Sequence, residues 1–137
     1  MAETLSPQDG LVAVMIAVAA ADEAIGTSEL VQMSAVVETL PVFAGYDAAR
    51  LGEMGRTVMD LLADEDGLDR LFELVRAHLP RRLWETAYAL ACDVAAADGH
   101  VTQGEARLLE EVRDELEIDR LHAAAIERGA RARHQRI

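Results

Sequence analysis

The sequence predicts an all-α chain, about seven helices packed in a single bundle with an internal pseudo-repeat, and three observations carry that prediction. First, 51% of the residues are hydrophobic but only 4% are aromatic, so the core must be built from Ala, Leu, Val and Met. Ala and Leu lead the helix scale, whereas aromatic and β-branched residues lead the strand scale. Second, apolar positions recur at helical spacing, with no sustained alternation and no Asn-Gly hairpin turn. Third, the three prolines fall only where elements break for other reasons. A chain of 137 residues is long enough to bury a real core and is expected to form one domain over 1–137.

The elements follow in order. Ser6-Pro7-Gln8-Asp9 opens the first helix, with Ser6 as N-cap, Pro7 at the first helical position and Asp9 three residues after the cap. It runs to about Ala21. The second covers about Thr27 to Leu40 and stops before Pro41. Gly45 and Tyr46 mark a turn, and the third, about Asp47 to Ala63, carries Leu51, Met54, Val58, Leu61 and Leu62 at helical spacing. The fourth opens at Asp66 with a stripe of Leu68, Leu71, Phe72, Val75 and Leu79, and ends at Pro80. The fifth spans Arg81 to about Ala97, the sixth Gln103 to Leu116, and the seventh runs from about Asp119 into an Arg-rich tail. The first and fifth are apolar on most faces and rich in alanine, which predicts that they are buried and pack together at the centre. Short connections place sequence neighbours side by side.

Charge narrows the partners. The net charge is −12, every basic residue is Arg, and none precedes Arg50. So acidic a body repels nucleic-acid phosphates and anionic membranes, which excludes both as partners of the domain as a whole. Arg131, Arg133 and Arg136 near the end complement the negative end of the last helix. Cys92 is the single cysteine and sits in an apolar run, so no disulfide is expected and the thiol is expected to be buried and inert. The apolar run Leu11 to Ala21 is too short to span a bilayer, and Glu3 and Asp9 stand where a signal peptide needs positive charge. The expected compartment is the cytoplasm.

The most telling pattern is a helix exit that occurs twice. Ala95-Ala96-Ala97-Asp98-Gly99-His100-Val101-Thr102-Gln103-Gly104-Glu105 has a fainter copy in Ala19-Ala20-Ala21-Asp22-Glu23-Ala24-Ile25-Gly26-Thr27-Ser28-Glu29, offset by 76 residues. At that offset, positions 13–36 and 89–112 agree at 8 sites, and the repeated Asp-to-Glu spacing is the stronger sign of a duplication. Folding alone accounts for most of it. Gly99 suits the left-handed residue that ends a helix, Val101 plugs the corner, and Thr102 with Glu105 makes a capping box. Asp98 resists that account, because a carboxylate in the last turn of a helix faces the negative dipole end at a cost of roughly 0.3–1 kcal/mol. It can be compensated by backbone N–H groups of the following turn, or by a cation bound between it, free carbonyls and Glu105, the oxygen-only set that Ca²⁺ prefers. Asp22 with Glu23 repeats the same unfavourable placement. Asp93, five residues before Asp98, lies about 140° away around the helix and cannot share its face. His100 is a lone loop histidine, a nitrogen ligand for Zn²⁺ or simply solvated.

This pattern, Ala-Ala-Ala-Asp-Gly-x-Val-x-x-x-Glu at a helix junction, preceded by Asp93 and seen twice in an all-α chain, resembles the TerB family of tellurite-resistance proteins. The resemblance runs from about Gln8 to Arg133, with a close match in the second motif and a departure at Glu23, where such proteins often have Gly. It implies a seven-helix fold with a pseudo-repeat, a role in tellurite or metal-ion stress, and acidic motif residues that bind a divalent cation. Carried over position by position, those residues are Asp98 and Glu105, and in the fainter copy Asp22 and Glu29, with Asp93 before the second motif as a further candidate ligand. No enzymatic activity comes with it.

Other constellations lead nowhere. Asp64-Glu65-Asp66-Gly67 fails the calcium-loop pattern, because Gly67 at position 6 puts Leu62 at position 1; acids opening the fourth helix explain it. No nucleophile has a motif context, His78, His100, His122 and His134 lack paired metal spacing, and Glu110, Glu111, Asp114, Glu115 and Glu117 read as a solvated face. The expected function is a non-enzymatic cation-binding or stress-response module with a divalent cation such as Ca²⁺ and a protein partner. The alternative is a helical interaction module whose Asp/Glu corners are purely structural, with an acid–base enzyme in an acidic cleft as a third.

Overall fold

The computed structural model describes residues 5–21, 25–97 and 99–137. Among these the chain forms α1 (Pro7–Ala19), α2 (Thr27–Thr39), α3 (Arg50–Leu62), α4 (Gly67–His78), α5 (Trp84–Ala95), α6 (Gln103–Glu115) and α7 (Arg120–Arg133), and no strand. The predicted all-α class and helix number hold.

α1 is the axis of the fold. Every residue from Leu11 to Ala19 is buried on all sides, and α1 packs against α3, α4, α5 and α6, most extensively against α5. Its helical start is set by Ser6, whose hydroxyl accepts from the Asp9 N–H while Asp9 accepts from the Ser6 N–H. Ala87, Ala91 and Ala95 are among the α5 residues buried to within 1%. Small side chains let the two helices approach closely, so the predicted central pairing of α1 and α5 is found. Each buried Val, Leu, Ile or Met side chain contributes about 1.5–3 kcal/mol by leaving water, and α1 is where they concentrate.

Several boundaries move by a turn, for local reasons. Pro41–Phe43 forms a 3₁₀ turn that buries Phe43 against Tyr46, ring centroids 5.6 Å apart. α3 begins at Arg50 rather than Asp47, because the Asp47 carboxylate accepts from the Ala49 N–H and holds a turn ahead of the helix. Arg81–Leu83 is likewise 3₁₀, and α5 starts at Trp84, whose indole N–H donates to the Leu79 carbonyl and fastens the α4–α5 connection.

Gly67 has a reason that the sequence did not show. A Cβ at this position would stand 1.9 Å from the Leu61 carbonyl oxygen, so only glycine lets the start of α4 fold back on the end of α3. The acidic cluster before it is structural: Arg70 pairs with Asp64 at 3.1 Å and with Asp66 at 3.8 Å. Among the described residues, no helix is long and apolar enough to cross a membrane.

Truncation should separate core from surface. Leu11→Ala, at a fully buried position, is expected to cost about 2–5 kcal/mol in urea unfolding, whereas Leu121→Ala, at 75% exposure, should stay within about 0.5 kcal/mol. Gly67→Ala should cost more than about 1 kcal/mol, because the atom it meets is backbone; an unchanged midpoint would show that the α3–α4 approach is looser than described.

Candidate functional site

The duplication is present in three dimensions, residue for residue. α2 and α6 start and end at positions separated by the same 76-residue offset, and each spans 13 residues. The preceding helices end alike: Ala20 (φ −88°, ψ 1°) donates to the Ile16 carbonyl, and Ala96 (φ −89°, ψ −1°) to the Cys92 carbonyl. The N-caps Gly26 and Thr102 share an extended conformation, with φ −77° and −75°. Glu29 Oε1 accepts from the Gly26 N–H at 2.8 Å, and Glu105 Oε1 from the Thr102 N–H at 3.0 Å. Thr102 completes its box by accepting from the Glu105 N–H, which Gly26 has no side chain to do. Replacing Thr102 by Gly and Gly99 by Glu in the first copy therefore leaves the dihedrals on either side of that corner intact.

Where the two copies meet, the two glutamates meet. Glu29 and Glu105 are both buried, at 8% and 3% exposure, and their carboxyl groups lie within hydrogen-bonding reach of one another. Burial and then the neighbouring Glu29 carboxylate push Glu105 up to about 7, against the pull of the Thr102 N–H. Each carboxylate spends Oε1 on its capping bond. Two like charges confined there repel unless a proton or a cation lies between them.

The remaining predicted ligands divide. Asp22 and Asp98 lie outside the described residues. Asp93 does not join the glutamates: it faces α7, where Arg133 donates to it at 2.6 Å and His134 stands 3.3 Å away. Its position a third of a turn or more from the corner face accounts for this. Among the described residues no group of three or more His, Cys, Asp or Glu is placed to hold a metal ion. The expectation that Val101 plugs the corner is corrected, since its side chain is 44% exposed. Gly99 has the left-handed conformation expected of it, φ +97°.

Two further polar networks escaped sequence reading. The buried Asp9 accepts from Tyr46 Oη at 2.7 Å and from Arg50 at 2.7 and 3.3 Å, besides its cap. Burial alone would raise its carboxyl, but bonds from Arg50, the Ser6 backbone and Tyr46 outweigh it and hold the pKa below the usual carboxylate value. On the other side of the bundle, Tyr88 donates to Glu127, which also accepts from Arg113 at 3.2 Å. The neighbouring Cys92 is buried as expected, and burial pushes its thiol up to about 12. Neither network has a short-range sequence signature, because the partners lie 14 to 41 residues apart.

An all-helical fold built on a duplicated helix–corner–helix unit, with the two helix-start glutamates brought face to face, defines the class of protein. Residues 8–128 match the family described as tellurite resistance protein TerB, and the chain belongs to that family. No curated protein matches the chain. No solved structure matches it either.

The raised Glu105 sets a pH dependence whose sign is fixed. Its folded pKa of about 7 exceeds the ordinary 4.5, so between these values the folded state holds a proton that the unfolded chain has released. Stability from this pair is present below about 4.5 and is lost as pH rises through about 7. In chelator-treated buffer, the wild-type chain should lose more stability than Glu105→Gln between pH 5 and pH 8 in parallel urea titrations, since both share every other titrating group. Equal losses would remove the like-charge pair from the account. Asp9 acts with the opposite sign in a lower window, its contribution falling away only as pH drops below the usual carboxylate range.

Proposed function

We propose that this chain is a non-enzymatic, divalent-cation-binding domain of metal-ion stress response, with the Glu29–Glu105 pair as the inner part of the site. The single observation that carries this reading is the meeting of two buried carboxylates from equivalent positions of a duplicated unit. The donor set suits a hard cation: it is oxygen-only, doubly negative, and pre-positioned by two helix caps. Zn²⁺ would favour nitrogen or sulfur ligands, and the described residues bring neither to the pair. Asp22 and Asp98, each seven residues before its glutamate in the sequence, are assigned here as the outer ligands. Family membership supports the stress role. Bound, the cation would neutralise the pair and tie the α2 and α6 starts together; no residue is given a catalytic role.

The competing reading, a helical interaction module with structural corners, draws on Leu30 and Val31 of α2, 50% and 63% exposed beside Glu29. A partner protein docking there is compatible with either reading.

Thermal melts with Ca²⁺, Mg²⁺, Mn²⁺ and Zn²⁺ at pH 8 discriminate. A cation at 100 times its Kd adds about 2.7 kcal/mol of stability, which raises Tm by roughly 10 °C in a chain of this size. Ca²⁺ or another hard cation is expected to produce that rise. Glu105→Gln should abolish it while raising the Tm of the metal-free protein, because the repulsion is gone and the capping oxygen remains. Asp98→Asn should reduce it. No shift of the wild-type chain with any of the four metals would overturn the cation reading and leave the interaction module.

A further inference from the structure

A cavity of about 640 Å³ opens between α5, α6 and α7, beside the second corner. Its size falls within the range of small-molecule sites. Its walls are small and aliphatic, with Val101, Ala106, Leu109 and Ala130 among them. The floor polar groups satisfy one another: Tyr88 donates to Glu127, and Glu127 takes Arg113. Among the described residues, no buried side-chain nitrogen or oxygen lacks a partner.

The rim is different. Arg131, from the last turn of α7, and Arg136, from the tail, both line the cavity and are exposed. Among the described residues neither has a carboxylate partner within 4 Å, unlike Arg133 beside them, which pairs with Asp93 at 2.6 Å. Arg136 lies over the corner because Gly99 has no side chain: a Cβ there would stand 3.3 Å from its guanidinium carbon. Among the described residues lining the cavity, three arginines stand against two glutamates, Glu127 in the floor network and Glu110 on α6. In a chain of net charge −12 this is a local reversal of sign.

We propose that this cavity binds a small amphipathic anion, with an oxyanion head held by Arg131 and Arg136 and an aliphatic body lying against Ala106, Leu109 and Ala130. Guanidinium groups recognise carboxylate and phosphate alike by paired N–H donors, so the head-group chemistry is shared by fatty carboxylates and alkyl phosphates. The aliphatic walls favour a flexible chain over a planar ring. This site is separate from the glutamate pair and does not depend on a cation there.

Isothermal titration of the full chain with octanoate, octyl phosphate and 1-octanol tests it. One or both anions should bind with one-to-one stoichiometry, at least about tenfold more tightly than the alcohol, and their ratio identifies the preferred head group. Arg131→Gln with Arg136→Gln, both at exposed positions, should weaken the anions about tenfold or more and leave the alcohol unchanged. Ala106→Trp, a substitution at an exposed position that fills the cavity, should weaken all three ligands. The proposal fails if no anion binds saturably at millimolar concentration, if octanol binds as tightly as the anions, or if the double arginine variant or Ala106→Trp binds them undiminished. Far-UV circular dichroism on each variant establishes that it is folded.

Discussion

Burial of α1 is the constraint from which the rest of the structure follows. A helix apolar on every face has no solvent side, so α3, α4, α5 and α6 must surround it. The alanine faces of α1 and α5 allow the two to lie close. Because α1 and α5 are also the first helices of the two repeats, their pairing brings the repeats together about the centre of the molecule. The second helices, α2 and α6, then cross onto the opposite repeat's first helix, α2 against α5 and α6 against α1. Their starts converge, and the glutamate at the third position of each is carried inward.

That convergence gives a capping residue a second consequence. At a solvent-facing helix start, a Glu that accepts from its N-cap is a local device worth about a kilocalorie per mole. Here the same geometry in both repeats points two carboxylates at one buried space. Folding by itself would be better served by a neutral side chain at one of them. The acid pair is therefore a place where this chain departs from what stability alone would choose.

Charge is distributed with equal consequence. The acidic residues dominate the whole, yet α7 and the tail gather Arg128, Arg131, Arg133 and Arg136. Asp93 draws Arg133 and His134 onto α5, and this anchors the tail so that Arg136 reaches the corner at Gly99. The result is a buried acid pair at the helix starts and a separate cavity lined by arginines. Neither is evident from net charge, which speaks only to solubility and long-range repulsion.

Periodicity and capping chemistry made the helices legible, and the central pairing of α1 with α5 followed from their apolar, alanine-rich composition. The repeat was legible too, because Asp-to-Glu spacing survives substitution at Gly26 and Glu23. Glu105 and Glu29 could be singled out as acids at a repeated helix start, but each was attached to its own preceding Asp, since spacing along a chain reports only local neighbours. That Glu29 and Glu105 face each other, that Asp93 turns away to Arg133, and that Val101 lines a cavity instead of plugging a corner depend on how the helices cross. So do Gly67, fixed by the approach of the Leu61 carbonyl, and the Asp9–Tyr46–Arg50 cluster. Local sequence determined which segments are helical, where they start and which faces are apolar, because backbone hydrogen bonds and caps act within a few residues. Only the tertiary structure decided which carboxylates share a space, because that contact joins residues 76 positions apart.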